Sequence, residues 1–248
     1  MKKKHFVTRR KAIIAGAASL FGLVVYKGLK LSPRPNHGNI LRMGDAITYE
    51  AQRALLGGQS LAKEYTKEDI SSFPATGTTN PADASAPNFS KEYAGLQNNG
   101  FENWQLSISG SVKNPGKYSL AALKNFPPRT QITRHTCEEG WNAIAEWKGV
   151  PLSQVLQHAG ILPGARFVNF YAYDGYIDSI DMTDALHPQT ILAFEMNGNT
   201  LPVPHGAPLR VRVETQIGYK SVKYLQRIVV TDKFVDPGDD GWAWYTGI

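Results

Sequence analysis

The chain has 248 residues, with 27 Lys and Arg against 21 Asp and Glu, so its formal net charge at pH 7 is +6. The positive excess lies in residues 1–34, which carry nine basic and no acidic side chains, so the remainder is slightly acidic, with 18 basic against 21 acidic. The overall charge is therefore no argument for nucleic-acid binding.

Residues 1–34 have the pattern of a twin-arginine export signal. Lysines and the pair Arg9-Arg10 precede an apolar run from Ala12 to Tyr26. That run is shorter than the ~20 residues of a spanning helix, and no A-x-A cleavage site follows it. We expect export to the periplasm by the Tat translocase, with the segment either cleaved or retained as an inner-membrane anchor. Tat export of folded proteins also favours a cofactor inserted before export.

Residues 35–100 are interpreted as a lead-in helix followed by a wrapping irregular segment. Asp45 is a suitable N-cap for the helix, and Gly57-Gly58 follow it. Residues 71–100 are rich in Ser, Pro, Ala, Asn and Gly. Since irregular segments of this length are commonly functional, we expect this one to contribute to a site.

Residues 101–248 are predicted to form an α+β domain, mostly of strands with short helices. A helix is predicted from Pro151, with its apolar residues on one face and Gly160 at its end. Apolar and alternating patterns predict strands at 104–108, 166–172, 190–196, 208–214 and 226–231.

Cys137 is the only cysteine of the chain, and proteins of oxidising compartments usually pair their cysteines. Its neighbours, from Arg134 to Trp141, are polar and include a glycine, unlike those of a buried structural cysteine. We interpret Cys137 as a metal ligand or a nucleophile. The six histidines form no zinc-binding pattern with it. A single thiolate suits a thiophilic metal whose other ligands come from an organic cofactor.

A second group of candidate residues is cationic and rich in glycine. It comprises His205, Arg210, Lys220, Ser221 and Lys223. Arginine binds phosphate with two parallel hydrogen bonds and lysine as a point charge, so this group suits a phosphate. The residues equally fit a solvated basic strand and turn, and the pattern alone leaves both interpretations open.

Two long motifs resemble those of the sulfite-oxidase-fold molybdenum enzymes. The first runs from Thr133 through Cys137 to Trp141 and continues at 147–152, and the second runs from Asn197 through Arg210 to Lys223. This resemblance implies a mixed, mostly-β molybdopterin-binding domain at 101–248. It also implies a two-electron oxidoreductase that transfers an oxygen atom to or from a small sulfur or nitrogen compound.

The resemblance also implies roles for individual residues. Cys137 is the expected metal ligand, flanked by Arg134 and His135 as candidate catalytic neighbours. The residues expected to hold the molybdenum-molybdopterin are Asn88, Glu92, His205, Arg210, Lys220, Ser221 and Lys223.

The residues after Cys137 depart from the sulfite oxidase pattern. Glu138-Glu139-Gly140-Trp141 stand where sulfite oxidases have Gly-Asn-Arg. Two acids beside the ligand disfavour a dianionic substrate. This form is more similar to the bacterial periplasmic group that includes methionine sulfoxide reductase catalytic subunits.

The sequence has no haem motif, no Fe–S cysteines and no nucleotide loop. We therefore expect a membrane cytochrome b or a soluble cytochrome c as redox partner. One alternative is an exported, non-catalytic binding domain that keeps the fold. Another is a cysteine hydrolase, for which His135 and His205 could act as base, although it leaves the basic group unexplained.

Overall fold

The computed structural model describes residues 60–233. The export segment and the lead-in helix near Asp45 lie outside the described residues. Within residues 60–233, no helix has the length and apolar character that a membrane span requires.

Within residues 60–233, ten strands form two five-stranded sheets. In chain order the strands are β1 (Gln105–Gly110), β2 (Gly116–Ser119), β3 (Arg129–Thr136), β4 (Asn142–Pro151), β5 (Phe167–Ala172), β6 (Ile177–Asp181), β7 (Ile191–Met196), β8 (Asn199–Thr200), β9 (Arg210–Arg212) and β10 (Leu225–Thr231). One sheet has the order β2-β1-β10-β5-β6, and the other has the order β3-β4-β7-β8 with β9 also paired to β7. Only β1 and β10 pair in parallel among these strands.

In the part of the chain that the structure describes, four short α-helices accompany the sheets, namely α1 (Lys91–Asn98), α2 (Leu120–Lys124), α3 (Leu152–Ala159) and α4 (Met182–Leu186). The predicted α+β class with mostly strands and short helices is confirmed. The helix predicted from Pro151 is α3. It buries Leu152, Val155, Leu156 and Ala159, and it ends at Gly160, which has the left-handed backbone (φ 74°) that glycine adopts without strain.

The strands predicted near β1, β5, β7 and β10 are confirmed to within two residues. The strand predicted at 208–214 is shorter, since only Arg210–Arg212 pair with β7, and all three residues are buried. Its charged side chains therefore do not form a solvated face. The sequence interpretation did not identify β3 and β4, because polar residues interrupt the apolar pattern of both strands.

The segment predicted to be irregular divides in two. Residues 71–90 contain turns but no helix or strand. Residues 91–98 form α1, which begins where the Ser90 hydroxyl accepts a hydrogen bond from the Tyr93 amide. Tyr93 is fully buried, and its hydroxyl donates to the Ala207 carbonyl at 2.7 Å. The irregular part is thereby joined to the domain through α1.

A glycine on β4 permits close approach of β7. A Cβ added at Gly149 would lie 2.2 Å from the Leu192 carbonyl oxygen, whereas one added at Gly95, on α1, would meet no atom within 4 Å. We expect Gly149→Ala to lower the free energy of unfolding by at least about 3 kcal/mol, because backbone must move to admit the methyl group. Gly95→Ala is the matched control and should raise it by about 0.5–1 kcal/mol, because alanine favours a helix. Urea unfolding measures both, and equal stability of the two variants would contradict the strand contact.

Candidate functional site

A cavity of about 580 Å³ is the candidate site. It is lined by five stretches of chain: residues 73–78 with Asn88, the Cys137 turn with His135, the turn at 174–176, the Pro204-His205 pair with Arg210, and residues 218–219 with 221–223. Segments far apart in the sequence therefore enclose one space.

Cys137 directly follows β3, in the turn that leads to β4. Its amide donates to the Trp141 carbonyl at 2.9 Å, and the Gly140 amide donates to the Cys137 carbonyl at 3.1 Å. Alternation along β3 buries Gln131, Thr133 and His135 on one face, and Cys137 continues that face with 6% exposure. The hairpin therefore directs the thiol inward.

The surroundings of Cys137 keep it protonated at neutral pH. Its Sγ lies 3.6 Å from the Glu138 carboxylate and 3.7 Å from the Glu139 carboxylate. Burial, followed by the two carboxylates, raises the pKa of the thiol to about 11. A nucleophilic cysteine needs a lowered pKa, so this setting disfavours the hydrolase alternative. A bound metal ion supplies the positive charge that a thiolate here requires.

His135 is oriented by a buried network on β3 and β9. The Arg212 guanidinium donates to His135 Nδ1 at 2.6 Å and pairs with the Glu214 carboxylate at 2.9 Å. Gln131 donates to the same carboxylate at 3.1 Å. Because arginine can only donate, Nδ1 must accept and Nε2 carries the proton. Burial and the charges of Arg212 and Arg210 lower the pKa of His135 to about 2, so the imidazole is a fixed neutral donor.

The cationic residues that line the cavity are Arg210 and Lys223. Arg210 donates to the carbonyls of His205 at 3.1 Å and Ser221 at 2.8 Å. Lys223 donates to the carbonyls of Thr76 at 2.8 Å, Thr78, and Pro204 at 3.3 Å. Burial, followed by the positive charge of a neighbouring arginine, lowers the pKa of Arg210 to about 9 and that of Lys223 to about 8. Both groups remain cationic at pH 7, and a bound anion would relieve their repulsion.

The Trp147 ring contacts both arginines of β9. The Arg210 and Arg212 guanidinium carbons lie 5.1 and 4.6 Å from its ring centroid, and the indole is fully buried. Such contacts stabilise desolvated cations. Two like charges on neighbouring positions are thereby tolerated beside the cavity.

The structure brings together seven of the residues predicted for the site. Lining the cavity are Asn88, His135, Cys137, His205, Arg210, Ser221 and Lys223. The Asn88 amide donates to the Thr78 hydroxyl at 2.9 Å, which connects two parts of the irregular segment ten residues apart. The solvated interpretation of the basic group is wrong for Arg210, Lys220 and Ser221, which are at most 4% exposed.

Three predicted site residues do not line the cavity. Arg134 lies on the exposed face of β3, stacked on the Tyr65 ring at 5.1 Å, because alternation sends it opposite to His135. Glu92 is exposed on α1 and accepts from Gln226 at 3.3 Å. Lys220 points inward and pairs with Asp178 at 2.8 Å, and both side chains are 1% exposed. Lys220 therefore lies behind the cavity wall in a buried ion pair. In this structure none of the three side chains reaches the cavity, and the roles expected for them stay predictions.

Sequence reasoning missed the aromatic wall of the site. The Phe73 ring lies between 5.2 and 5.6 Å from four rings, those of His135, Trp141, Trp147 and His205. Phe73 is an isolated aromatic residue in a stretch of small and polar residues, and that isolation is the signal that could have identified it. Tyr176 and Asp174 also line the cavity.

The donor set fits a cofactor with a thiophilic metal at one end and an anionic group at the other. The thiol of Cys137 is the soft ligand. Arg210 and Lys223 carry the positive charge that a phosphate requires, and Ser221 lies beside them in the cavity lining. Fold and site together define a mixed α+β domain that binds a metal-organic cofactor in a cavity beside its two sheets.

Comparisons with known proteins agree with this class. A family model described as the oxidoreductase molybdopterin binding domain matches residues 94–237. The chain therefore belongs to this family of oxidoreductase domains, whose cofactor is molybdenum-molybdopterin.

Individual relatives share part of the chain. A protein of Azospira oryzae, provisionally named a protein-methionine-sulfoxide reductase subunit (YedZ1), is 41% identical over 58% of this chain and 56% of its own length. The protein-methionine-sulfoxide reductase catalytic subunit MsrP of Ralstonia nicotianae is 34% identical over 52% of this chain and 44% of its own. The chain thus spans about half the length of the curated relatives it matches.

The sulfane dehydrogenase SoxCD of Paracoccus pantotrophus has a similar structure. It superposes with a TM-score of 0.52 and 26% identity, over 54% of this chain and 40% of that chain. This similarity agrees with the sulfite-oxidase type of fold expected from the motifs.

The low pKa of His135 predicts acid sensitivity of the fold. An unfolded histidine takes up a proton near pH 6.5, whereas folded His135 does so only near pH 2. Its contribution to stability is therefore present above pH 6.5 and lost as the pH falls. Urea unfolding should give a free energy that drops by about 2 kcal/mol more between pH 6.5 and 5 in the parent than in His135→Gln. Equal pH dependence in the two proteins would contradict the buried neutral imidazole.

Proposed function

We propose that this chain is an exported catalytic subunit that reduces methionine S-oxides, with Cys137 as the protein ligand of molybdenum. The observation that carries the proposal is the position of the Cys137 thiol in a cavity that also presents Arg210 and Lys223. One soft ligand and one anion-binding group are what a dithiolene pterin phosphate requires from the protein. The choice of a methionine S-oxide as substrate is supported by the names of the relatives, which are protein-methionine-sulfoxide reductase subunits.

The reaction consumes an S-oxide, two electrons and two protons, and it yields a thioether and water. When bound, the cofactor supplies two-electron oxygen-atom transfer. The residues of this chain bind the substrate, orient it and donate hydrogen bonds to it. His135 presents the N–H of Nε2 as a hydrogen-bond donor. This nitrogen cannot become an acceptor while Arg212 donates to Nδ1. Phe73 and Trp141 form an apolar wall for the methyl and methylene groups of a thioether.

The carboxylates in the Cys137 turn favour a neutral substrate over sulfite. Glu138 and Glu139 place two carboxylates within 4 Å of the Cys137 sulfur. A dianion at the same metal would be repelled by both side chains, whereas an S-oxide carries no net charge. This argument favours S-oxide reduction over the oxidation of an anionic sulfur compound.

The electrons are proposed to come from a membrane cytochrome b or a soluble cytochrome c. The twin-arginine pattern of residues 1–34 supports a periplasmic location. Retention of this segment as an anchor would place the domain next to a membrane partner and favour the cytochrome b.

Molybdenum content tests the assignment of Cys137. In protein exported by its native host, we expect about one molybdenum per chain, a metal–thiolate absorption band, and reduction of methionine S-oxide by a reduced viologen dye. Cys137→Ser should lose the band and reduce turnover by at least about 100-fold, because the soft ligand is gone. Arg134→Ala is the matched control on the opposite face of β3, and it should keep metal and turnover.

The possible results separate the alternatives. Folded parent protein without molybdenum would overturn the enzyme assignment and favour the non-catalytic binding domain. One molybdenum per chain without turnover of the S-oxide would refute the proposed substrate, while the proposed cofactor would stand. An intact metal–thiolate absorption band in Cys137→Ser would refute the assignment of Cys137 as the metal ligand.

Lys223 is predicted to hold the cofactor as well as the irregular segment. Replacing it with methionine removes the charge and the bonds to residues 76–78 and Pro204 while keeping most of the volume. We expect Lys223→Met to retain less than about a tenth of the parent's molybdenum after dialysis, because a buried charge-assisted contact is worth more than about 1.5 kcal/mol. Elemental analysis measures the retained metal, and limited proteolysis within residues 71–90 reports the loosened segment. Full retention in Lys223→Met would contradict this role.

A further inference from the structure

We propose that Glu138 and Glu139 make this site select methionine S-oxides that stand next to lysine or arginine in a polypeptide. The proposal rests on the proposed function and adds the charge of the preferred substrate. It concerns discrimination between substrates rather than the chemical step.

Both carboxylates have fixed positions beside the reacting centre. The Glu139 carboxylate accepts a hydrogen bond from the Trp141 indole at 2.8 Å. The Glu138 carboxylate packs on Gly218, where an added Cβ would lie 3.0 Å from Glu138 Oε2 and 2.7 Å from His135 Nε2. The absence of a side chain at Gly218 therefore leaves room for Glu138 and His135 together.

The charge of Glu138 acts on the cavity wall. It contributes to the raised pKa values of Tyr176 and Tyr219, in both cases after the effects of burial and of Asp178. Both tyrosines line the cavity. A substrate that passes these rings thus enters a region of negative potential.

The cavity's cations do not cancel this charge at the Cys137 turn. Arg210 and Lys223 are the only Lys or Arg side chains among the described lining residues. Their hydrogen bonds go to residues 76–78, 204–205 and 221 rather than to the Cys137 turn. His135 is neutral. Next to the sulfur, the lining therefore carries two carboxylates to which neither Arg210 nor Lys223 hydrogen-bonds.

The same surface suits a polypeptide. Glu139 is exposed while Glu138 is half-buried, so the two carboxylates extend from the cavity toward solvent. Ile217 precedes Gly218 and is 40% exposed, and Trp141 is partly exposed. Apolar side chains beside carboxylates match a methionine S-oxide side chain with a cationic neighbour, since aromatic rings attract cations as well.

Three peptides test the proposal with the molybdenum-loaded enzyme. Each carries one methionine S-oxide flanked on both sides by Lys, by Gln or by Glu, in an otherwise identical sequence. At low salt we expect kcat/KM to fall from the Lys to the Glu peptide by about 10-fold or more, mainly through KM, and the ratio to shrink at high salt.

Variants assign the effect to the two carboxylates. Glu138→Gln and Glu139→Gln should each reduce the Lys-to-Glu ratio, and the double variant should bring it within about 2-fold of unity. Glu102→Gln is the matched control, because it removes an exposed carboxylate outside the cavity lining, and it should keep the parent ratio. A parent ratio near unity, or a ratio that persists in the double variant, overturns the proposal.

A binding measurement separates this proposal from the proposed function. Unoxidised methionine forms of the peptides are titrated against the parent and the double variant by calorimetry. Tighter binding of the Lys peptide to the parent alone supports the charge selection even if no S-oxide is reduced. Equal binding of the Lys and Glu peptides to the parent overturns it whether or not S-oxides are reduced.

Discussion

Two guanidinium groups buried on one short strand, β9, determine much of the site. The Arg210 and Arg212 guanidiniums both contact the Trp147 indole, and Glu214 neutralises Arg212 through two hydrogen bonds. Removing one member of such a buried network leaves a desolvated charge without a partner, which is strongly destabilising. The network is tolerated because the Glu214 carboxylate satisfies Arg212, backbone carbonyls satisfy Arg210, and the indole contacts both.

From this network the chemistry of the cavity follows in two directions. Arg212 fixes the tautomer of His135, which faces the acidic Cys137 turn. Arg210 bonds to the carbonyls of His205 and Ser221, so the segment before β9 and the turn after it are held together. The result is a cavity with a thiol and carboxylates on one hairpin and positive charge on the chain around β9. That polarity is what allows one domain to hold a group with a metal and an anion.

The irregular segment shows how a part without helix or strand can still be ordered. Residues 76–78 are held by the ammonium of Lys223 and the hydroxyl of Tyr224, which together satisfy backbone carbonyls that no strand pairs. Phe73 is inserted among four aromatic rings. Side chains from the folded domain thus replace the hydrogen bonds and packing that regular structure would provide.

The sequence by itself determined the features that depend on residue type and local spacing. The helix α3 follows from its apolar spacing and its Gly160 end, and the chemistry of Cys137, Arg210 and Lys223 follows from what thiols, guanidiniums and ammoniums can bind. Tertiary structure alone decided whether Arg134, Glu92 and Lys220 reach the cavity, since that depends on which face of a strand, helix or turn packs against it. It alone also brought Phe73, Trp147 and Arg212 to the site. These contacts join segments far apart in the chain, and their packing depends on burial that no local pattern records.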